Sequence, residues 1–142
     1  MKISDFTLQD VGILETSMNI EPSQIGQDQV TQFIHQVGIG HEIDLEKKVL
    51  FINVDVDIKR GDTDNIIAKF KTSISFGFGH LNLEFDTSDS KFPFSKKLTH
   101  QLTDAAMSTT RGMMFMYLKG TILHKAYLPL IDFSNVEIPV RT

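Results

Sequence analysis

The segment Lys48-Val-Leu-Phe-Ile-Asn-Val-Asp-Val-Asp-Ile-Lys59 (KVLFINVDVDIK) decides the fold class. Leu50, Ile52, Val54, Val56 and Ile58 occupy alternate positions, with Asn53, Asp55 and Asp57 between them. Successive side chains on a strand point to opposite faces, so this alternation predicts a strand with one face in a core and the other in water. That pattern belongs to an antiparallel sheet covered on one side.

Working outward, Phe33 to Ile43 carries Phe33, Val37, Ile39 and Ile43 at period two. The short connection Asp44-Leu45-Glu46-Lys47 predicts a hairpin between the two strands. Downstream, the polar segment Arg60 to Asn65 reads as a turn into a further strand region, Ile66 to Phe85, giving a second hairpin. Parity changes within that region, from Phe70, Ile74, Phe76 and Phe78 to Leu81, Leu83 and Phe85, which predicts a bulge near Gly77-Phe78-Gly79-His80. Phe6 to Ile20 shows a similar switch, from Phe6 and Leu8 to Val11 and Ile13. The polar stretch Glu21 to Gln29 reads as a crossover loop to the second strand.

From Ser95, a plausible N-cap, the period becomes helical, with Leu98, Leu102, Ala105, Thr109, Met113 and Met116 as the expected stripe. The small residues from Ala105 to Thr110 allow close approach of another backbone. Gly112 weakens the helix without ending it. After Gly120 the chain reads as extended through Tyr127 to Phe133. The expected fold is therefore α+β: a four-stranded antiparallel sheet packed on one long helix, with an extended C-terminal segment, in a single domain spanning residues 1–142.

Composition narrows the function. The 14 basic and 18 acidic side chains form no basic cluster denser than Lys47-Lys48 or Lys96-Lys97, which argues against nucleic acid as a partner. The longest apolar run, Met113 to Leu118, falls far short of the ~20 residues of a membrane span, so direct membrane insertion is not expected. Absence of cysteine removes disulfides, thiolate metal sites and thiol nucleophiles and suits a reducing compartment. The first ten residues lack the apolar stretch of a secretory signal. A cytoplasmic location is the expectation.

No enzyme, metal or cofactor signal emerges. Asp55 and Asp57 share a strand face, where a solvated surface is a better reading than a cation site. The five histidines, at 35, 41, 80, 100 and 124, lack the spacing of a local zinc pair. Gly77-Phe78-Gly79 has neither the third glycine nor the following helix of a dinucleotide fingerprint, and there is no Gly-x-Ser-x-Gly elbow. The run Met113-Met-Phe-Met-Tyr-Leu118 says more. Six helical residues sweep about 600°, so one sheet cannot receive them all. A second surface is implied: a partner helix, the returning segment Tyr127 to Phe133, or a bound apolar peptide, to which methionine adapts well.

Two motifs carry a resemblance. Phe6-Thr-Leu-Gln-Asp-Val11, continuing through Ser17-Met-Asn-Ile-Glu-Pro22, and Met107-Ser-Thr-Thr-Arg-Gly-Met-Met114, followed by Leu128-Pro-Leu-Ile-Asp-Phe133, resemble the SecB-like export chaperones in order and separation. The resemblance implies an ATP-independent chaperone, without a cofactor, that holds unfolded or extended polypeptides in apolar grooves. It also implies self-association as a dimer or tetramer. Carried onto this chain, it makes Met18, Ile20, Ile25, Phe33 and Ile34 candidates for the client groove, joined by Met114, Phe115, Tyr117 and Leu118 of the apolar run. Leu102, Ala105, Ala106, Thr109 and Met113 become candidates for the oligomer helix.

Glu15 is the candidate for docking a translocase motor. Asn19 falls at the family's other acidic position on the first strand, and Lys69 near a third. The chain also stops at Ile138-Pro-Val-Arg-Thr142, short of the family's usual second helix, so it resembles a truncated member. These departures argue against motor docking and leave an antitoxin-associated chaperone, or an oligomeric adaptor whose helix serves assembly alone, as the alternatives to a role in protein export. An α+β enzyme with a site at the mouth of the sheet ranks last.

Overall fold

The alternation in Val49–Arg60 becomes the strand β3, whose Leu50, Ile52, Val54, Val56 and Ile58 are all fully buried. The structure, a computed structural model, describes residues 2–18, 33–61, 65–79, 94–121, 123, 126 and 128–130, with Arg60 described by its backbone alone. A 3-10 turn at Ile3–Asp5 leads into β1 (Thr7–Met18); β2 (Phe33–Asp44), β3 and β4 (Ile66–Gly77) follow, and then the helix α1 (Lys96–Leu118). The four strands form an antiparallel sheet in the order β1-β4-β3-β2, and α1 packs across the central strands β3 and β4. This is the expected α+β architecture.

β2 and β3 form the expected hairpin, in unbroken register from Phe33↔Arg60 to Asp44↔Val49. Its turn is closed by the Asp44 carboxylate, which accepts from the Lys47 backbone N–H at 2.9 Å, while Lys48 adopts a φ of 53°. β1 and β2 occupy opposite edges of the sheet; residues 19–32 between them, which include the expected crossover loop Glu21 to Gln29, lie outside the described ones.

The parity change in the first strand is a bulge. Leu8 pairs with Phe76 and Val11 with Ile74, and the register shifts between Leu8 and Asp10, leaving both apolar residues on the helix side. A second shift lies between Ile13 and Glu15. The expected bulge near Gly77 cannot be placed in the same way: β4 ends at Gly77, Phe76 and Phe78 are both buried, and Leu81, Leu83 and Phe85 lie outside the described residues. Phe6, Phe78 and Phe94 form a ring cluster with centroids 5.2 to 5.7 Å apart, tying the start of β1 to the end of β4 and the approach to the helix. Each such contact is worth about 0.5–1.5 kcal/mol beyond the area it buries.

Ser95 caps α1 by accepting from the Leu98 backbone N–H at 3.2 Å, as the sequence predicts. The buried stripe differs from the expected one. Leu98, Leu102, Ala106, Thr110, Met114 and Leu118 face the sheet at four-residue intervals, flanked by Thr99, Thr103 and Met107. The expected stripe departs from this at Ala105, and Met116 ends up as the most exposed large apolar residue of the helix. Threonine is what displaces it. The hydroxyls of Thr99, Thr103 and Thr110 donate to the carbonyls of Ser95, Thr99 and Ala106 at 2.7 to 2.9 Å, and so enter the core without a lost hydrogen bond.

The face away from the helix is polar and regular. Glu15, Lys71 and Asp55 are cross-strand neighbours in one row, and Ser17, Lys69, Asp57 and Gln36 in the next. Opposite charges at directly opposed positions stabilise a sheet modestly, by about 0.2–1 kcal/mol per pair.

Candidate functional site

The helix lies over β3 and β4 and leaves much of the helix-side face of β1 uncovered. Leu8, Ile13 and Met18, which register with the core residues Phe76, Thr72 and Ala68, stay exposed at the sheet edge. They span roughly 30 Å at the rise of a strand. Leu14, at the second bulge, is exposed as well. Beside this strip the last turns of α1 present Phe115, Met116 and Tyr117, with relative exposures of 48%, 66% and 45%. The Tyr117 ring leans on Phe70 at a centroid distance of 5.6 Å, and its hydroxyl lies 3.0 Å from the Thr16 Oγ1, bridging helix and edge strand. Exposed apolar residues scattered singly need no explanation, but this set lies along one edge strand and the adjoining helix end.

The helix rotation divides the apolar run as its geometry demands. Met114 and Leu118 turn into the core, Met113 packs partly against it, and Phe115, Met116 and Tyr117 face out. Met114 and Leu118 are therefore core residues and not groove residues, a correction to the expectation. Leu102 and Ala106 are corrected in the same sense: both are fully buried against the chain's own sheet and cannot meet a partner helix. Ala105, Thr109 and Met113 form a half-buried ridge on the flank of α1, where a second surface can reach them. Of the remaining groove candidates, Met18 and Ile34 are exposed at opposite edges of the sheet, Phe33 packs partly against the core, and Ile20 and Ile25 lie outside the described residues. The structure thus brings Met18 near the helix end through the Thr16 to Tyr117 bridge and keeps Ile34 apart.

Glu15 sits on the opposite face of the sheet, its carboxylate 3.7 Å from the Lys71 ammonium. It is one member of an alternating charge row. Asp55 and Asp57 register with Lys71 and Lys69, and among the described residues no group of three or more His, Asp or Glu side chains could hold a metal. His35 places Nε2 2.6 Å from the Ala126 carbonyl, where the ring N–H donates. His41 is buried against Thr103. No helix among the described residues is long and apolar enough to cross a membrane.

Leu8, Ile13 and Leu14 escaped the sequence reading as surface residues, because apolar residues on a strand read as core. The adjacent pair Ile13-Leu14, which breaks the alternation, was the available signal for the bulge.

The fold is that of the SecB-like chaperones. A SecB-like chaperone of Mycobacterium tuberculosis, solved in complex with a ChAD peptide from the HigA1 antitoxin, superposes with a TM-score of 0.58 over 89% of this chain and 90% of that one, at 12% sequence identity. A protein of unknown function from Streptococcus agalactiae aligns over 89% of this chain and 97% of that one at 13% identity, with a TM-score of 0.32. No family model matches the chain, and no curated protein does.

Proposed function

We propose that this chain is a holding chaperone that binds unfolded or extended polypeptide on apolar surface, without nucleotide and without covalent chemistry. The observation that carries the reading is the uncovered strip of Leu8, Ile13, Leu14 and Met18 on β1 beside Phe115, Met116 and Tyr117 of α1. Burying an apolar side chain is worth about 1.5–3 kcal/mol, so a polypeptide covering even part of this strip gains enough to be held reversibly. Two register shifts interrupt β1, so an occupant there gains more from apolar contact than from a continuous backbone ladder. Exposed methionine suits clients of varied shape. The structural likeness to a chaperone with a bound peptide supports the same reading.

Self-association follows as part of the proposal. The half-buried ridge of Ala105, Thr109 and Met113 would meet a second copy while β1 and the exposed end of α1 stay open to clients. The antitoxin-associated reading is favoured over export by one specific comparison, the antitoxin peptide held by the Mycobacterium tuberculosis chaperone. A cytoplasmic site of action is consistent with both.

The test is light scattering from a reduced, unfolding client in the absence of nucleotide. Wild-type protein should suppress aggregation, and the variant Phe115→Ser with Met116→Ser should suppress it several-fold less while keeping its fold. A wild type that leaves aggregation unchanged would sink the holdase reading.

A further inference from the structure

The described methionines divide sharply by environment. Met107 and Met114 are buried on the sheet side of α1, and Met113 packs partly against the core. Met18 and Met116 are 43% and 66% exposed, and both belong to the uncovered strip. Thr16 and Met18 register with the buried Phe70 and Ala68, which puts them on the helix side of β1. The Thr16 to Tyr117 bridge of 3.0 Å ties that end of the strand to the turn of α1 that carries Met116. Each accessible thioether thus lies within two residues of this one contact between strand and helix. Met1 lies outside the described residues.

We infer that Met18 and Met116 form a paired oxidation site through which peroxide turns the apolar strip polar. On the holdase reading, on which this inference rests, the change switches client capture off. A lone pair of the thioether sulfur forms an S–O bond to one peroxide oxygen and the O–O bond breaks. The proton on the transferred oxygen passes to the departing hydroxide, leaving sulfoxide and water, with sulfur oxidised by two electrons and the peroxide reduced by two. Sulfoxide is polar and chiral where the thioether was flexible and apolar, so it removes the property that suits methionine to clients of varied shape. A methionine sulfoxide reductase reverses the step, with two thiols oxidised to a disulfide and the oxygen released as water.

Two features make this a control and not general damage. Oxidation needs contact between sulfur and peroxide, so the buried Met107 and Met114 are shielded, and the packed seam survives a dose that modifies the strip. Leu8, Ile13 and Leu14 supply the rest of the apolar edge and do not react, which confines the sensitivity to two positions. Cysteine is absent from the sequence, so no thiol intercepts the oxidant before it reaches the exposed thioethers.

The test treats the full chain with hydrogen peroxide and maps sulfoxide at each methionine by peptide mass spectrometry. Met18 and Met116 should oxidise at least about tenfold faster than Met107 and Met114, and equal rates overturn the proposal. At a dose that oxidises the exposed pair and leaves far-UV circular dichroism unchanged, binding of the apolar dye ANS and suppression of client aggregation should each fall several-fold. Sulfoxide reductases with dithiothreitol should restore both. Dye binding that is indifferent to oxidation of the pair overturns the proposal too. The variant Met18→Leu with Met116→Leu keeps apolar side chains at both positions, so its dye binding, measured against its own untreated value, should not change with peroxide. A fall as large as that of wild type places the sensitivity elsewhere and refutes the assignment. A wild type that suppresses aggregation equally before and after oxidation of the pair refutes this inference alone. An untreated wild type that suppresses nothing, while oxidation of the pair still lowers dye binding, refutes the holdase reading alone.

Discussion

His41 Nε2 on β2 lies 2.8 Å from Thr103 Oγ1 on α1, inside the seam between sheet and helix. The Thr103 hydroxyl gives its one hydrogen to the Thr99 carbonyl at 2.7 Å, so it accepts here and His41 carries its proton on Nε2. The neutral ring fits this arrangement. Charging it would place a cation in a site that is 1% exposed to solvent, and burial accordingly pushes the pKa down to about 4 from an ordinary 6.5.

The pH dependence follows from the sign of that shift. With the folded-state pKa below the unfolded one, the unfolded chain binds the proton first, so stability is complete above pH 6.5 and falls as pH drops toward 4. The loss amounts to about 3 kcal/mol from this residue. Urea unfolding at pH 7 and pH 4, compared between wild type and His41→Leu, should show a pH-induced difference smaller in the variant by about this amount. Identical pH profiles would show that His41 does not titrate in a buried site.

A second seam contact couples β4 to the helix. Thr110 donates to the Ala106 carbonyl at 2.9 Å and accepts from Thr72 at 2.8 Å, while the Thr72 hydroxyl is 3.5 Å from the Val54 carbonyl. Thr110→Val should cost about 1–2 kcal/mol by stranding the Thr72 hydroxyl. The double variant with Thr72→Val should cost less than the sum of the singles, by about 1 kcal/mol. Strict additivity in denaturant titrations would mean that the two hydroxyls are not partners.

The correction of the helical stripe is directly measurable. Leu102→Ala should destabilise the chain by about 2–5 kcal/mol, the usual result of emptying a packed site, whereas Met116→Ala should stay within about 0.5 kcal/mol. The reverse order would restore Met116 to the core.

Gly112 lies in the exposed interior of α1, where an added Cβ meets no atom within 4 Å. Gly112→Ala should raise the unfolding free energy by about 0.5–1 kcal/mol, from the lower conformational entropy of the unfolded chain and better helix propensity. Denaturant titration of the variant beside wild type measures the gain; an unchanged or lower unfolding free energy would contradict it.

Some of this was legible in one dimension because the signals are local. The alternation of β3, the hairpin turn at Asp44, the Ser95 cap and the impossibility of hiding Met113 to Leu118 on one face all follow from periods of two and 3.6 residues and from the chemistry of a few side chains. The amino-acid sequence therefore determined the α+β class, the long helix and the surplus of apolar surface at its end.

Tertiary structure decided the rest, for two reasons. Strand order is a matter of non-local pairing, and only the placement of β1 beside β4 makes Leu8, Ile13 and Met18 an edge instead of a core. Burial of a polar side chain depends on whether a partner is waiting. Thr103 and Thr110 lie outside the expected stripe, but His41 and Thr72 arrive from the sheet to meet them, and their burial rotates Met116 into solvent and Met114 into the core. Hydrogen-bond satisfaction across the seam, which hydrophobic periodicity does not encode, set the final rotation of the helix.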